Sequence, residues 1–207
     1  MFIVMEGGDG VGKSTQLSLL QQDLQKRGYR VTVCREPGST RLGEAIRQIL
    51  LHERSLSIDR MSELLLFMAA RAQVTSEVIR PALARGEVVL ADRFLLSSIV
   101  YQGYAGGLEI DSLREIGRIA TGNLQPDLTI LLDLPIEEAR RRRCGEPDRL
   151  ESESALFHEQ VREGFLAEAC RSEGSIWVVP ASQGVEELHQ QILTRVEYLL
   201  KEGSSPG

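Results

Sequence analysis

Gly7-Gly8-Asp9-Gly10-Val11-Gly12-Lys13-Ser14 is the stretch on which the reading of this chain turns. It matches the pattern G-x-x-x-x-G-K-[ST], with an apolar run before it, Phe2 to Met5, and a helical pattern after it, from Thr15-Gln16-Leu17 onward. Strand before and helix after are the context in which such a loop binds phosphate. Glycines let several backbone N–H groups turn inward on phosphate oxygens, and the helix that starts there presents its positive end. The pattern assigns residues Gly7, Gly8, Asp9, Gly10, Val11, Gly12, Lys13, Ser14 and Thr15 to the cradle. Within it, Lys13 reaches the β- and γ-phosphates and the Ser14 hydroxyl ligands Mg²⁺. A ligand-free glycine turn has no need of that lysine and serine. The stretch reads as a nucleoside triphosphate site.

Outward from the loop, strands and helices alternate. Leu17, Leu19, Leu20 and Leu24 recur at helical spacing until Gly28. Tyr29 to Cys34 is a second strand, and Arg35-Glu36-Pro37-Gly38-Ser39-Thr40 breaks regular structure; the Glu36-Pro37 bond is open to either isomer. A helix carries Leu42, Ile46, Ile49 and Leu50, with Arg47 off its apolar stripe. A long helix is expected from Asp59 to about Ala84, kinked or ended near Arg80 by Pro81. Val88 to Ala91 is a short strand closed by Asp92-Arg93, and a helix through Ser97, Tyr101 and Gln102 leads to a glycine bend. Further helices are expected over 112–121, from Pro135 through Arg143, over 152–171 and over 185–201. Strands are expected over 128–133 and 176–179. Each crossover is long enough for a parallel sheet covered on both faces. The expected fold is α/β, of the phosphate-loop NTPase type: a five-stranded parallel sheet with helices on both faces, as in nucleoside monophosphate kinases. Ligands in such sheets sit at the carboxyl ends of the strands. Here those ends are Glu6 to Gly8, Arg35-Glu36, Asp92-Arg93, Asp133 and Pro180-Ala181. With no repeat or linker, residues 1–207 read as one domain, with a tail over 203–207 expected to be disordered.

Composition narrows the field. A net charge of −6 does not indicate a general nucleic-acid surface. The three cysteines, Cys34, Cys144 and Cys170, share no metal-ligand spacing and do not form an even framework. No apolar run approaches membrane-spanning length, and the start of the chain carries no leader pattern, so a cytoplasmic location is expected. The switch and base-reading motifs of a GTPase have no suitable match, and a regulatory or motor ATPase usually brings further modules. A small-molecule kinase needs an acceptor pocket and an arginine-bearing lid, and the chain offers both. The lid candidate is 140–150, with arginines at 140–143 and Arg149 around a Gly-Glu-Pro-Asp break. The pocket candidates are Phe67 and Arg71, four apart on one helix face; Asp92-Arg93; and Ser98 and Gln102, again four apart.

Four stretches together resemble the bacterial thymidylate kinases: 7–15; 35–40; Asp92-Arg93-Phe94-Leu95-Leu96-Ser97-Ser98-Ile99-Val100-Tyr101-Gln102-Gly103; and 121–129, Thr-Gly-Asn-Leu-Gln-Pro-Asp-Leu-Thr. The resemblance covers nearly the whole chain in order. It implies ATP and dTMP as substrates, dTDP and ADP as products, Mg²⁺ as cofactor and a homodimer. It places Asp9 near the deoxyribose 3′ hydroxyl or the acceptor phosphate. Glu36 would lie near that phosphate and its metal, with Arg47 and Arg93 gripping it. Phe67 would stack on thymine and Arg71 would donate to a ring carbonyl. Ser97, Ser98 and Gln102 would line the ring edge or sugar, and Tyr101 would crowd the 2′ position. Lys13, Arg93, Arg149, Arg143 and Arg141 would be catalytic, and Ser14 and Asp92 would serve the metal. With no arginine in the loop and several in the lid, the chain resembles the lid-arginine type. A kinase for another nucleoside monophosphate, or a nucleotide-gated binding protein, is the alternative. Phe94, Val100 and Cys34 stand where tyrosine, alanine and threonine are frequent.

Overall fold

The computed structural model describes residues 1–143 and 146–202, so the first two residues of the break expected over 144–149 and the tail over 203–207 lie outside the described residues. Five strands, β1 Phe2–Glu6, β2 Val31–Arg35, β3 Val88–Asp92, β4 Leu128–Asp133 and β5 Ile176–Pro180, pair in parallel in the order β2-β3-β1-β4-β5. Register is set by the pleat: Ile3 lies opposite Leu90 and Leu128, Met5 opposite Asp92 and Ile130. Because side chains alternate, Ile3, Met5, Leu90, Ile130 and Leu132 enter one core. That core is shared with α1 Lys13–Lys26 and α9 Val185–Glu202. Phe2, Val4, Val89 and Ala91 enter a core on the opposite face, and β1 is buried from end to end.

On that second face lies the expected long helix, with an irregular turn just before Arg80. α3 spans Arg60–Val74, a π-helical turn follows at Thr75–Ile79, and α4 runs Arg80–Ala84. The helix neither ends nor breaks at Pro81. A proline inside an α-helix clashes with the carbonyl four residues back and removes a donor. The wider π turn, in which the Arg80 N–H reaches the Thr75 carbonyl, lies where that clash would fall. The remaining helices are α2 Arg41–Arg47, continued by a π turn at Gln48–His52; α5 Leu95–Ser98, continued by a π turn at Ile99–Tyr104; α6 Ile110–Thr121; α7 Ile136–Arg142; and α8 Ala155–Arg171. Among the described residues no helix is long and apolar enough to cross a membrane.

Candidate active site

The carboxyl edge of the sheet opens into a cleft of about 910 Å³. Its floor is the loop between β1 and α1. Gly7 takes φ 132°, and a Cβ there would stand 2.4 Å from the Leu132 carbonyl oxygen, so only glycine lets the loop pass this close to β4. No side chain caps α1, which leaves its first N–H groups for an anion. Lys13 Nζ donates to the carbonyls of Gly7 (3.1 Å) and Gly8 (2.6 Å). Burial and the charge of Arg93 hold its pKa below the ordinary lysine value. Ser14 Oγ donates to Asp92 Oδ2 at 3.1 Å, and both line the cleft. A hydroxyl and a carboxylate at the edge of a phosphate cradle are hard oxygen donors of the kind Mg²⁺ takes alongside phosphate oxygens and water. The pair fits that ion.

Arg93 has φ 70°, a left-handed conformation that costs a non-glycine residue on the order of 1–3 kcal/mol. Contacts on all sides hold it there. Its guanidinium donates to the Gly7 carbonyl (3.0 Å) and Ser97 Oγ (3.1 Å), pairs with Asp9, and lies 5.1 Å from the centre of the Tyr101 ring. Asp9 also accepts from the Tyr101 hydroxyl at 3.0 Å. Burial pushes the Asp9 carboxyl up, but Arg93 and Lys13 outweigh it and hold it well below the usual carboxylate range. Glu6, not singled out as a site residue above, braces this turn. It accepts from the Phe94 N–H (2.9 Å), the Ser97 N–H (3.2 Å) and Ser97 Oγ (2.6 Å), so a strand-end carboxylate caps α5 from across the sheet.

Deeper in the cleft Arg71 is fully buried. Its Nε donates to Glu36 (2.6 Å), Nη1 to Ser98 Oγ (2.9 Å) and the Met68 sulfur (3.2 Å), and Nη2 to the Phe94 carbonyl (2.9 Å). A guanidinium has five N–H bonds, so one at Nη2 is left over. Glu36 follows directly on β2 and is joined to Pro37 by a cis bond. Burial, only partly offset by Arg71, pushes its carboxyl up to about 7. Arg47, Phe67, Ser97, Ser98, Tyr101 and Gln102 line the same cleft, and Arg47 is steadied by the Pro37 carbonyl at 2.9 Å.

The lid arginines divide differently from the expectation. Arg141 bonds back to the Glu137 carbonyl of its own helix, and Arg143 lies against the backbone of Asp9. Arg149 does not point into the cleft: it donates to the Leu50 carbonyl at 2.7 Å and pairs with Glu63. Arg142 is the one of the run that lines the cleft. Its Nη1 donates to the Ala181 carbonyl at 2.8 Å, across the cleft edge, whereas Arg141 is turned back along its own helix. The loop after β5 also lines the cleft, at 181–185, with Gln16 Nε2 bonded to the Val185 carbonyl at 2.9 Å. The strand-end rule marked that edge, but uncharged Ser182-Gln183-Gly184 gave no residue type on which to hang a role.

The thymidylate kinase family model matches residues 5–192. The chain belongs to the thymidylate kinase family. It is 48% identical to a thymidylate kinase of Desulforudis audaxviator, over 100% of this chain and 96% of that protein. It is 45% identical to one of Caldanaerobacter subterraneus subsp. tengcongensis, over 97% and 96%. The crystal structure of thymidylate kinase from Ehrlichia chaffeensis superposes with a TM-score of 0.79 at 30% identity, over 95% of this chain and 98% of that one. Of the three departures from the thymidylate kinase pattern, Phe94 bears most on the site. Its ring packs edge-on against Phe2 with centroids 5.1 Å apart, and its backbone carbonyl, not a side-chain hydroxyl, holds Arg71. Val100 and Cys34 are buried in cores.

Proposed function

We infer that this chain transfers the γ-phosphoryl group of ATP to dTMP, giving dTDP and ADP. The observation that carries the reading is a single cleft lined at one end by the phosphate loop and at the other by Arg47, Phe67, Arg71, Arg93 and Gln102. Phosphoryl transfer rests on positioning and on charge placed where negative charge develops. Lys13 and the α1 N-terminus bind the donor phosphates, and Arg142 lies where a lid arginine meets them. Arg47 and Arg93 hold the acceptor phosphate. Asp9, already fixed by Arg93 and Tyr101, orients the acceptor sugar. Mg²⁺, held by Ser14 and Asp92, supplies charge neutralisation on the phosphates when bound.

Selection of the base follows from donors and acceptors. Phe67 offers a stacking face and the remaining Arg71 N–H a donor. Thymine presents a carbonyl at position 4, where cytosine presents an amino group. A site left with an unpaired buried donor rejects the wrong ring strongly, whereas one methyl group is worth only about 1–3 kcal/mol. ADP release measured with dTMP, dUMP, dCMP and dAMP tests this. The expected order is dTMP first, dUMP well behind, and dCMP and dAMP near background; equal efficiency for dCMP and dTMP would overturn it. The working form in this reading is a homodimer in the cytoplasm.

A further inference from the structure

Glu63 stands on α3 one turn before Phe67, with 0% of its surface exposed. A carboxylate so placed needs partners, and it has three from three parts of the chain. Arg149, at the base of the lid, donates to Oε2. Oε1 accepts from Arg60 Nη1 at 3.3 Å and from Gln102 Nε2 at 2.9 Å. The last contact carries information. A side-chain amide has one donating and one accepting end, and a carboxylate only accepts. Turning the Gln102 amide over would set its oxygen against the Glu63 carboxylate in a buried setting, which is repulsive. One amide N–H is therefore committed to Glu63, which fixes the orientation and leaves the carbonyl oxygen as the acceptor that Gln102 offers to the cleft it lines.

We propose that Glu63 is the positioning residue that sets the base selectivity of the acceptor pocket, by fixing Gln102 with its carbonyl oxygen toward the ring. The proposal rests on the acceptor reading given above and deepens it. With Arg71 as donor and Gln102 as acceptor, the pocket edge matches a ring that offers a carbonyl next to an N–H, as thymine and uracil do. Cytosine offers an amino group next to an unprotonated ring nitrogen and meets the wrong partner at both places. Arg71 alone would test one position; Glu63, acting through Gln102, adds the second. Arg60 continues from Glu63 to Glu153 at 2.7 Å, so the same carboxylate also ties α3 to the segment that follows the lid.

The test is the ratio of kcat/KM for dTMP to that for dCMP, a quantity from which any shared defect in folding, ATP binding or lid closure cancels. Glu63→Gln keeps the shape but lets the facing amide present either end, so the ratio should fall about tenfold or more, with the KM for ATP little changed. Arg149→Gln alone leaves the carboxylate in place and should retain the wild-type ratio even where turnover drops. Should Glu63→Gln fold poorly because Arg149 is left without its counter-charge, the double variant E63Q/R149Q removes both charges and is expected to show the same fall. A ratio within twofold of wild type in whichever of these two variants folds would overturn the proposal. So would a fall in Arg149→Gln as large as that in Glu63→Gln. A wild-type ratio near one would overturn the acceptor reading itself, which is visible before any variant is compared.

Discussion

Lys13 is held by the carbonyls of Gly7 and Gly8, so its ammonium is aimed by the loop that carries it. Replacing it with Ala removes charge from the transferring group without touching the core, and turnover should fall by roughly 10²–10³. Steady-state kinetics alongside a thermal melt check that the loss is in rate and not in folding. Glu36 supports a prediction about pH. Its carboxyl is raised from the ordinary range to about 7 by burial. Between those values the folded chain therefore binds a proton that the unfolded chain has released. Stability contributed by this group is full below the ordinary carboxylate pKa and is lost as pH rises through about 7. Thermal midpoints between pH 5 and 7 should decline more steeply in the wild type than in Glu36→Gln; parallel curves would contradict this. At this scale the sequence is most legible where residue type falls within a motif, as at Lys13 and Ser14 in the phosphate loop and at the Asp92-Arg93 pair that closes β3. Glu6 and Glu63 escape notice because a buried, partnered carboxylate reads in sequence like any surface charge.

Among elements, α3 carries the most, since Glu63, Phe67 and Arg71 sit on successive turns. Its start depends on Asp59, whose carboxylate accepts from the N–H groups of Met61 (3.0 Å) and Ser62 (3.1 Å). Asp59→Ala should cost about 1 kcal/mol in urea unfolding, with little change in KM for dTMP, because the cap lies two turns from Phe67. The length of this helical segment was legible from its apolar spacing; the π turn was not, because the pattern of buried residues runs through it unchanged. The lid gives the reverse case. Four consecutive arginines carry no phase of their own, and only their contacts across the fold separate them, Arg142 reaching the Ala181 carbonyl and Arg141 bonding back to Glu137. Arg142→Ala should therefore cut kcat more than it raises KM for ATP, by a factor reaching about 10³ if the arginine meets transition-state charge. Arg141→Ala should have a much smaller effect. Equal effects of the two substitutions would mean that the register of α7 changes when the lid closes.

At the scale of the whole molecule, the five-stranded sheet was legible because each apolar run had a helix-length crossover after it, and the parallel direction of the strands then placed their polar ends along one edge. Where the proposed second copy would dock is written less clearly, since an exposed apolar residue and a core one look alike in sequence. The structure separates them on α3. Leu64 and Met68 are buried, whereas Met61 and Leu65, four apart, are 42% and 51% exposed, and Leu56 just upstream is 48% exposed. Residues at that spacing share a face, so α3 presents the acceptor pocket on one side and an apolar strip on the other. The homodimer implied by the family resemblance is expected to close over this strip. Sedimentation should give twice the chain mass for the wild type and a single chain mass for M61E/L65E. Since the opposite face of the same helix carries Phe67 and Arg71, separation of the copies should also raise KM for dTMP more than KM for ATP. A double variant that still sediments as a dimer would move the interface elsewhere on the molecule.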